Sequence, residues 1–167
     1  MWTADGYQRE VDSPNAILLT LQQQPPQPAA TAPLLALGCL WMILEEGHIT
    51  LLAVRPEVRG QGLGQALLVE LVAAAWQHNL EWVALEVRNS NQTALSLYKK
   101  FNFCAIGHRK RYYQNPEEDA LILWNSSIKQ PEFAETLKSW RRLVGDRLYQ
   151  SNWQLCRDAS PETYPSV

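Results

Sequence analysis

The chain has 167 residues, 46% hydrophobic and 19% charged, with fifteen basic and seventeen acidic side chains for a formal charge of -2. That length suits one domain with one core, and the balanced charge leaves no electrostatic footprint for a nucleic-acid backbone. Three cysteines, Cys39, Cys104 and Cys156, are odd in number with neither a CxxC nor paired histidines, so neither a disulfide framework nor a zinc site is indicated. "MWTADGYQREVD" at the start has no basic n-region and no apolar h-region, and no run of about 18 apolar residues occurs. The expectation is a cytoplasmic protein with no metal, no nucleic-acid partner and no membrane partner.

"AILLTL", Ala16 to Leu21, reads as a strand, and "QQQPPQPAATAP", Gln22 to Pro33, reads as a loop because its four prolines suit neither strand nor helix interior. Leu34 to Leu44 and Ile49 to Arg55 are β-like runs on either side of "EEGH", which predicts an antiparallel hairpin turning at the glycine. From Leu63 the residues Leu63, Ala66, Leu67, Leu71, Ala74 and Ala75 recur at three- and four-residue steps, giving a helix with one buried face up to about His78. Trp82 to Arg88 is a strand, and "NSNQ" offers N-caps to a second amphipathic helix carrying Ala94, Leu97, Tyr98 and Phe101. Phe103 to Tyr113 and Asp119 to Trp124 flank the polar "QNPEE" as a second antiparallel hairpin.

The tail from Asn125 has a different character. Phe133, Leu137, Trp140, Val144 and Leu148 form a helical stripe between Pro131 and about Tyr149, with Glu132 and Glu135 early and Arg141, Arg142 and Arg147 late, as the helix dipole favours. The division expected is a domain over 1–124 and a C-terminal extension over 125–167 whose helix docks back, covers a sheet edge, forms a dimer or binds a partner.

The densest local signal is "VRGQGLGQALL", Val58 to Leu68, three glycines between a strand and a helix. Backbone N–H groups gathered at a helix N-terminus make an anion cradle, and glycine permits both positive φ and close approach of main chain to phosphate. A nucleotide-hydrolysing loop needs GxxxxGK[ST], but Gly64 is followed by Gln65 and Ala66. A dinucleotide loop needs GxGxxG at the opening of a βαβ unit, whereas the order here is GxGxG after a hairpin strand.

Arg59-x-x-Gly62-x-Gly64, after "LLAVRPEV" and before "QALL", resembles the [QR]xxGx[GA] pyrophosphate loop of the GNAT superfamily of acetyl-CoA-dependent N-acetyltransferases. "LEVRNSNQTALSLYKKFNF", Leu85 to Phe103, is similar to the strand and helix that follow in that family. "LEVR", "SNQTALSLY", "GHRKRYY" and "EEDALIL" more specifically resemble the RimI type, which acetylates the N-terminal alanine of a small-subunit ribosomal protein. The resemblance covers roughly Trp2 to Trp124 and implies an α/β fold, a mixed and mostly antiparallel twisted sheet flanked by helices. It implies acetyl-CoA along Leu52, Ala53 and Val54 and on Arg59, Gly60, Gln61, Gly62, Leu63, Gly64 and Gln65, with Asn91 as a further contact. It also implies Glu86 as general base, Tyr98 as general acid, and Tyr112 and Tyr113 as grips on an incoming N-terminal peptide. The family pattern has an extra strand and helix ahead of "MWTADGY", so the fold expected lacks its first strand and helix.

The chemistry is consistent with those roles. An amine must be neutral to attack a thioester, and near pH 7.5 a lysine costs roughly 3 to 4 kcal/mol more to deprotonate than an α-amino group. One carboxylate such as Glu86 is adequate for an α-amine, and a phenol such as Tyr98 can protonate the departing thiolate. The plain alternatives are a solvated charge for Glu86, a core ring for Tyr98 and cross-strand packing for Tyr112 and Tyr113. His48, His78 and His108 lack metal-like spacing and read as structural. Arg109, Lys110 and Arg111 read as a solvated strand edge, and Cys39 and Cys104 as core thiols. Two functional classes follow, an N-terminal protein acetyltransferase or a catalytically weak acetyl-CoA-binding interaction module. Within the enzyme class, small-molecule amines and lysine are alternative acceptors.

Overall fold

The computed structural model of the protein describes residues 4–24 and 32–156, the side chains of Ala4, Asp5 and Tyr7 excepted. In chain order these form α1 (Ala4–Val11), β1 (Ala16–Gln22), β2 (Leu34–Ile43), β3 (Glu46–Val54), α2 (Leu63–Gln77), β4 (Trp82–Arg88), α3 (Gln92–Lys100), β5 (Cys104–Gln114), β6 (Glu117–Asn125) and α4 (Phe133–Gln150). Six strands make one sheet in the order β1-β2-β3-β4-β6-β5. Neighbours are antiparallel except β3 and β4, which run parallel, and α2 supplies the crossover that a parallel pair requires.

Every strand and helix expected from the sequence is present. One further helix, α1, has no signal in the sequence: "ADGYQREV" carries a glycine and too few apolar residues to show a helical period. It is tied to the sheet where the Trp41 indole N–H donates to the Glu10 carboxylate. The β2–β3 turn also differs from expectation. Ile43 pairs with Glu46, so the hairpin closes through Leu44 and Glu45, with Leu44 at φ 56°. Gly47 lies within β3, where a Cβ would stand 3.1 Å from Leu40 and 3.2 Å from Leu80, so close packing explains this glycine. Residues 25–31 of the proline-rich segment and Trp2 lie outside the described residues.

Helix α2 departs from the one-faced pattern read from sequence. Leu63, Ala66, Leu67, Leu68, Val69 and Leu71 through Ala75 are all buried, because α2 packs on the sheet and also against α4. The stripe on α4 is the anticipated one, with Phe133, Leu137, Trp140, Val144 and Leu148 all buried. Trp140 meets Phe101 and Phe133 edge-on at 5.3 and 5.7 Å, and Arg141 grips Glu70 of α2 through two hydrogen bonds of 2.9 and 2.7 Å. The extension therefore starts inside the core: Asn125, fully buried at the end of β6, donates to the Phe101 carbonyl at 2.8 Å and accepts from the Ser127 amide and hydroxyl. Cys39 is buried as expected, but Cys104, the first residue of edge strand β5, is exposed.

Candidate active site

Strands β3 and β4 pair over only three positions, Glu46 with Trp82, Gly47 with Val83 and His48 with Ala84. The cause lies in β3, on its side facing β2. Cys39 pairs with Leu51 but Leu40 pairs with Ile49, leaving Thr50 as the extra residue of a bulge, and a bulge bends its strand. Beyond this point β3 follows β2 to Val54 while β4 follows β6 to Arg88, so the sheet forks. Leu52, Ala53 and Val54 lie on the β3 arm of the fork, and Glu86 lies on the β4 arm.

A cavity of about 840 Å³ opens at the fork, with Trp41, His48, Thr50, Glu86, Tyr112 and Tyr113 among its walls and α1 at its rim. Leu85 and Val87 turn into the core with α2, so strand alternation sends Glu86 to the opposite face and into the cavity. Its side chain is 13% exposed. One carboxylate oxygen accepts from Arg109 Nε at 3.0 Å, and the other stands 4.0 Å from His48 Nδ1. Neither neighbour carries a site signal in the sequence, where Arg109 reads as a solvated edge and His48 as structural. No spacing rule links them, because they reach Glu86 from β5 and β3 across the fold.

Tyr112 and Tyr113 both line this cavity although adjacent residues of a regular strand point to opposite faces. The β5–β6 register explains it: Arg109 pairs with Ala120, and the next pair is Tyr113 with Glu118, so β5 carries extra residues. Arg111 occupies the left-handed region at φ 52°, its amide donating to Asp119 Oδ1 at 2.8 Å. The two rings meet edge-on at 5.1 Å, and the Arg88 guanidinium lies 4.1 Å from the Tyr113 ring centre. Burial, then the neighbouring Tyr112, raises the Tyr113 hydroxyl above its ordinary pKa.

Tyr98 sits on α3 in the core cluster, 8% exposed, its ring 5.8 Å from Phe103. Burial, with a smaller contribution from nearby Tyr113, pushes its hydroxyl up to about 12, so this phenol keeps its proton throughout the neutral range. Asn91 caps α3, its side-chain oxygen accepting from the Ala94 amide at 3.1 Å. An amide oxygen has two lone pairs, so capping the helix leaves both this oxygen and the carboxamide nitrogen able to meet a ligand.

The glycine loop has the conformation its composition suggests. Gly60 and Gly62 adopt φ of 74° and 99°, and Gly62 is the N-cap of α2, so the amides of the first helical turn have no partner within the helix. A Cβ on Gly60 would meet nothing within 4 Å, while one on Gly62 would stand 3.0 Å from Arg147. Three cations touch the loop or its flanks. Arg59 Nε donates to the Val54 carbonyl at 3.0 Å, Lys100 Nζ to Gln65 Oε1 at 3.2 Å, and Arg147 to the Gly60 carbonyl. Free amides, positive charge and an open side at Gly60 suit a phosphate-bearing ligand. Among the described residues, no His, Cys, Asp and Glu cluster could hold a metal ion, and no helix is long and apolar enough to cross a membrane.

Residues 15–103 match the model of the Acetyltransferase (GNAT) family. A Bacillus subtilis protein provisionally named a ribosomal protein bS18-alanine N-acetyltransferase is 36% identical over 124 residues, 74% of this chain and 78% of that protein. The Escherichia coli K12 ribosomal protein bS18-alanine N-acetyltransferase is 36% identical over 84 residues, 49% of this chain and 57% of its own length. The crystal structure of the ribosomal-protein-S18-alanine N-acetyltransferase from Escherichia coli superposes with a TM-score of 0.63 at 27% identity, covering 74% of this chain and 76% of that one.

Proposed function

Because this chain belongs to the GNAT family of acetyltransferases, we propose that it moves the acetyl group of acetyl-CoA onto a protein N-terminal amine, in particular an N-terminal alanine of a ribosomal protein. The family and its acetyl transfer are the premise; the acceptor is our reading. The names of the Bacillus and Escherichia coli relatives support it. The observation that carries it is the placement of a partly buried carboxylate, Glu86, in the wall of an aromatic-lined cavity at the fork.

In this reading the loop from Arg59 to Gln65 holds the coenzyme's pyrophosphate, and main-chain groups of Leu52, Ala53 and Val54 run along its pantetheine arm. Acetyl-CoA supplies an activated acyl carbon as a thioester. The acceptor's ammonium enters the cavity, and Glu86 takes one proton, a modest demand because an α-amine titrates near 8. Arg109 fixes one oxygen of that carboxylate, leaving the oxygen facing His48 as the acceptor of the proton. The neutral amine attacks the acyl carbon, the nitrogen of the tetrahedral intermediate loses its extra proton to solvent, the carbon–sulfur bond breaks, and Tyr98 gives its proton to the sulfur, regaining one from solvent. A phenol pushed up to about 12 remains protonated until that moment. Tyr112 and Tyr113 line the path of the peptide, their edge-on pair presenting hydroxyls and ring faces to a main chain.

The test is a comparison of acceptors with release of free thiol as the readout. A peptide with a free N-terminal alanine is expected to turn over, and the same peptide N-terminally blocked but containing lysine is expected to be at least tenfold slower. Faster reaction of the blocked peptide, or of spermidine, would overturn the N-terminal assignment.

A further inference from the structure

Helix α4 and the segment just past it meet the glycine loop at three points. Arg147 donates a hydrogen bond to the Gly60 carbonyl. Its Cγ and the Leu148 side chain occupy the space a Cβ on Gly62 would fill, at 3.0 and 3.3 Å. Just past the helix, the Trp153 indole N–H donates to Gln61 Oε1 at 2.6 Å. Leu148 itself is buried, 1% exposed, which fixes where this end of α4 lies. Arg147 is in the last turn, where the helix dipole favours a cation.

We propose that Arg147 is a positioning residue of the cofactor site, and that α4 is the part of this chain that sets the phosphate loop. The inference rests on the reading of Arg59 to Gln65 as the loop for the coenzyme's pyrophosphate. In a planar trans peptide the C=O and N–H point in opposite directions. A guanidinium holding the Gly60 carbonyl on one side therefore aims the Gln61 amide to the other, away from α4. Gly60 sits at φ 74°, and nothing stands within 4 Å of where its Cβ would be, so no side-chain packing at that point fixes the orientation. Arg147 acts twice: it orders the loop before a ligand arrives, and its permanent charge adds to Arg59 and Lys100 beside an anion of high charge. Ordering in advance lowers the entropy lost on binding. The effect falls on the phosphate end of the ligand and leaves the reacting end untouched.

The experiment compares acetyl-CoA with acetyl-pantetheine, which carries the thioester without the pyrophosphate, on the full chain and on Arg147→Met and Arg147→Lys. Arg147→Met should raise KM for acetyl-CoA about tenfold, leave kcat at saturation within twofold, and leave the KM for acetyl-pantetheine unchanged. Arg147→Lys should recover part of the loss, because it restores a donor and a charge. A general structural defect would instead lower kcat and impair both donors equally, and that pattern overturns the proposal. So does unchanged or tighter acetyl-CoA binding by Arg147→Met when the unsubstituted chain binds normally. Failure of the unsubstituted chain to bind acetyl-CoA would overturn the function reading and this inference with it.

Discussion

At the scale of single residues, Tyr98 joins the proposed chemistry to stability most directly. Its hydroxyl is raised because burial penalises the phenolate. The folded state favours the neutral form, so its contribution is fully present below pH 10, the ordinary value, and is lost as pH rises through about 12. The size is on the order of 2–3 kcal/mol for a shift of this extent. Tyr98→Phe should therefore lose less stability than the parent between pH 9.5 and 12 in urea unfolding, while at pH 8 its kcat falls about a hundredfold. Equal alkaline sensitivity of the two proteins would remove the burial argument, and an unchanged kcat would remove the proton-donor role. Tyr98 and Glu86 were legible as candidates because each sits in a short motif on a regular element. His48 and Arg109 were not: they are made neighbours of Glu86 by strand order and register, quantities set by the whole sheet.

At the scale of elements, the two bulges shape the cavity. One at Thr50 opens the fork, and the one held by Asp119 turns both tyrosines inward. Asp119→Ala removes the acceptor for an exposed amide in a left-handed conformation, so the stability cost should be small, about 1 kcal/mol. The register of β5 is then free to relax, and KM for a peptide acceptor should rise several-fold while KM for acetyl-CoA stays within twofold. Steady-state kinetics with each substrate varied in turn measures this, and a change confined to acetyl-CoA would contradict it. Regular elements were readable: β4 alternates, α3 has its cap, and α2 follows its glycines. Bulges were not, because Thr50 and Arg111 are residue types with no special claim to them. Gly60 and Gly62 show the contrast, since there the positive φ was announced by the residue.

At the scale of the whole molecule, the C-terminal extension belongs to the same core as the sheet. The stripe on α4 was visible in its spacing, but its destination was not, since α2 shows apolar residues all round and sequence gives no hint which side is left for a helix. The docking has a measurable worth. Leu148→Ala cuts into a buried contact with α2 and the glycine loop and should destabilise by about 2–5 kcal/mol. Added acetyl-CoA should restore part of the lost melting temperature through binding to the folded state. A variant melting with the parent would show that α4 is only laid on the surface.

The three-residue seam between β3 and β4 leaves the sheet as two leaves, β1-β2-β3 and β4-β6-β5, with few hydrogen bonds between them. A ligand arm lying in the fork would take the place of the missing stretch of ladder and stitch the leaves together. On the proposed binding mode, adding the donor should raise hydrogen-exchange protection of the β3 amides between Leu52 and Val54, because the open arm of the fork would gain a hydrogen-bonding neighbour.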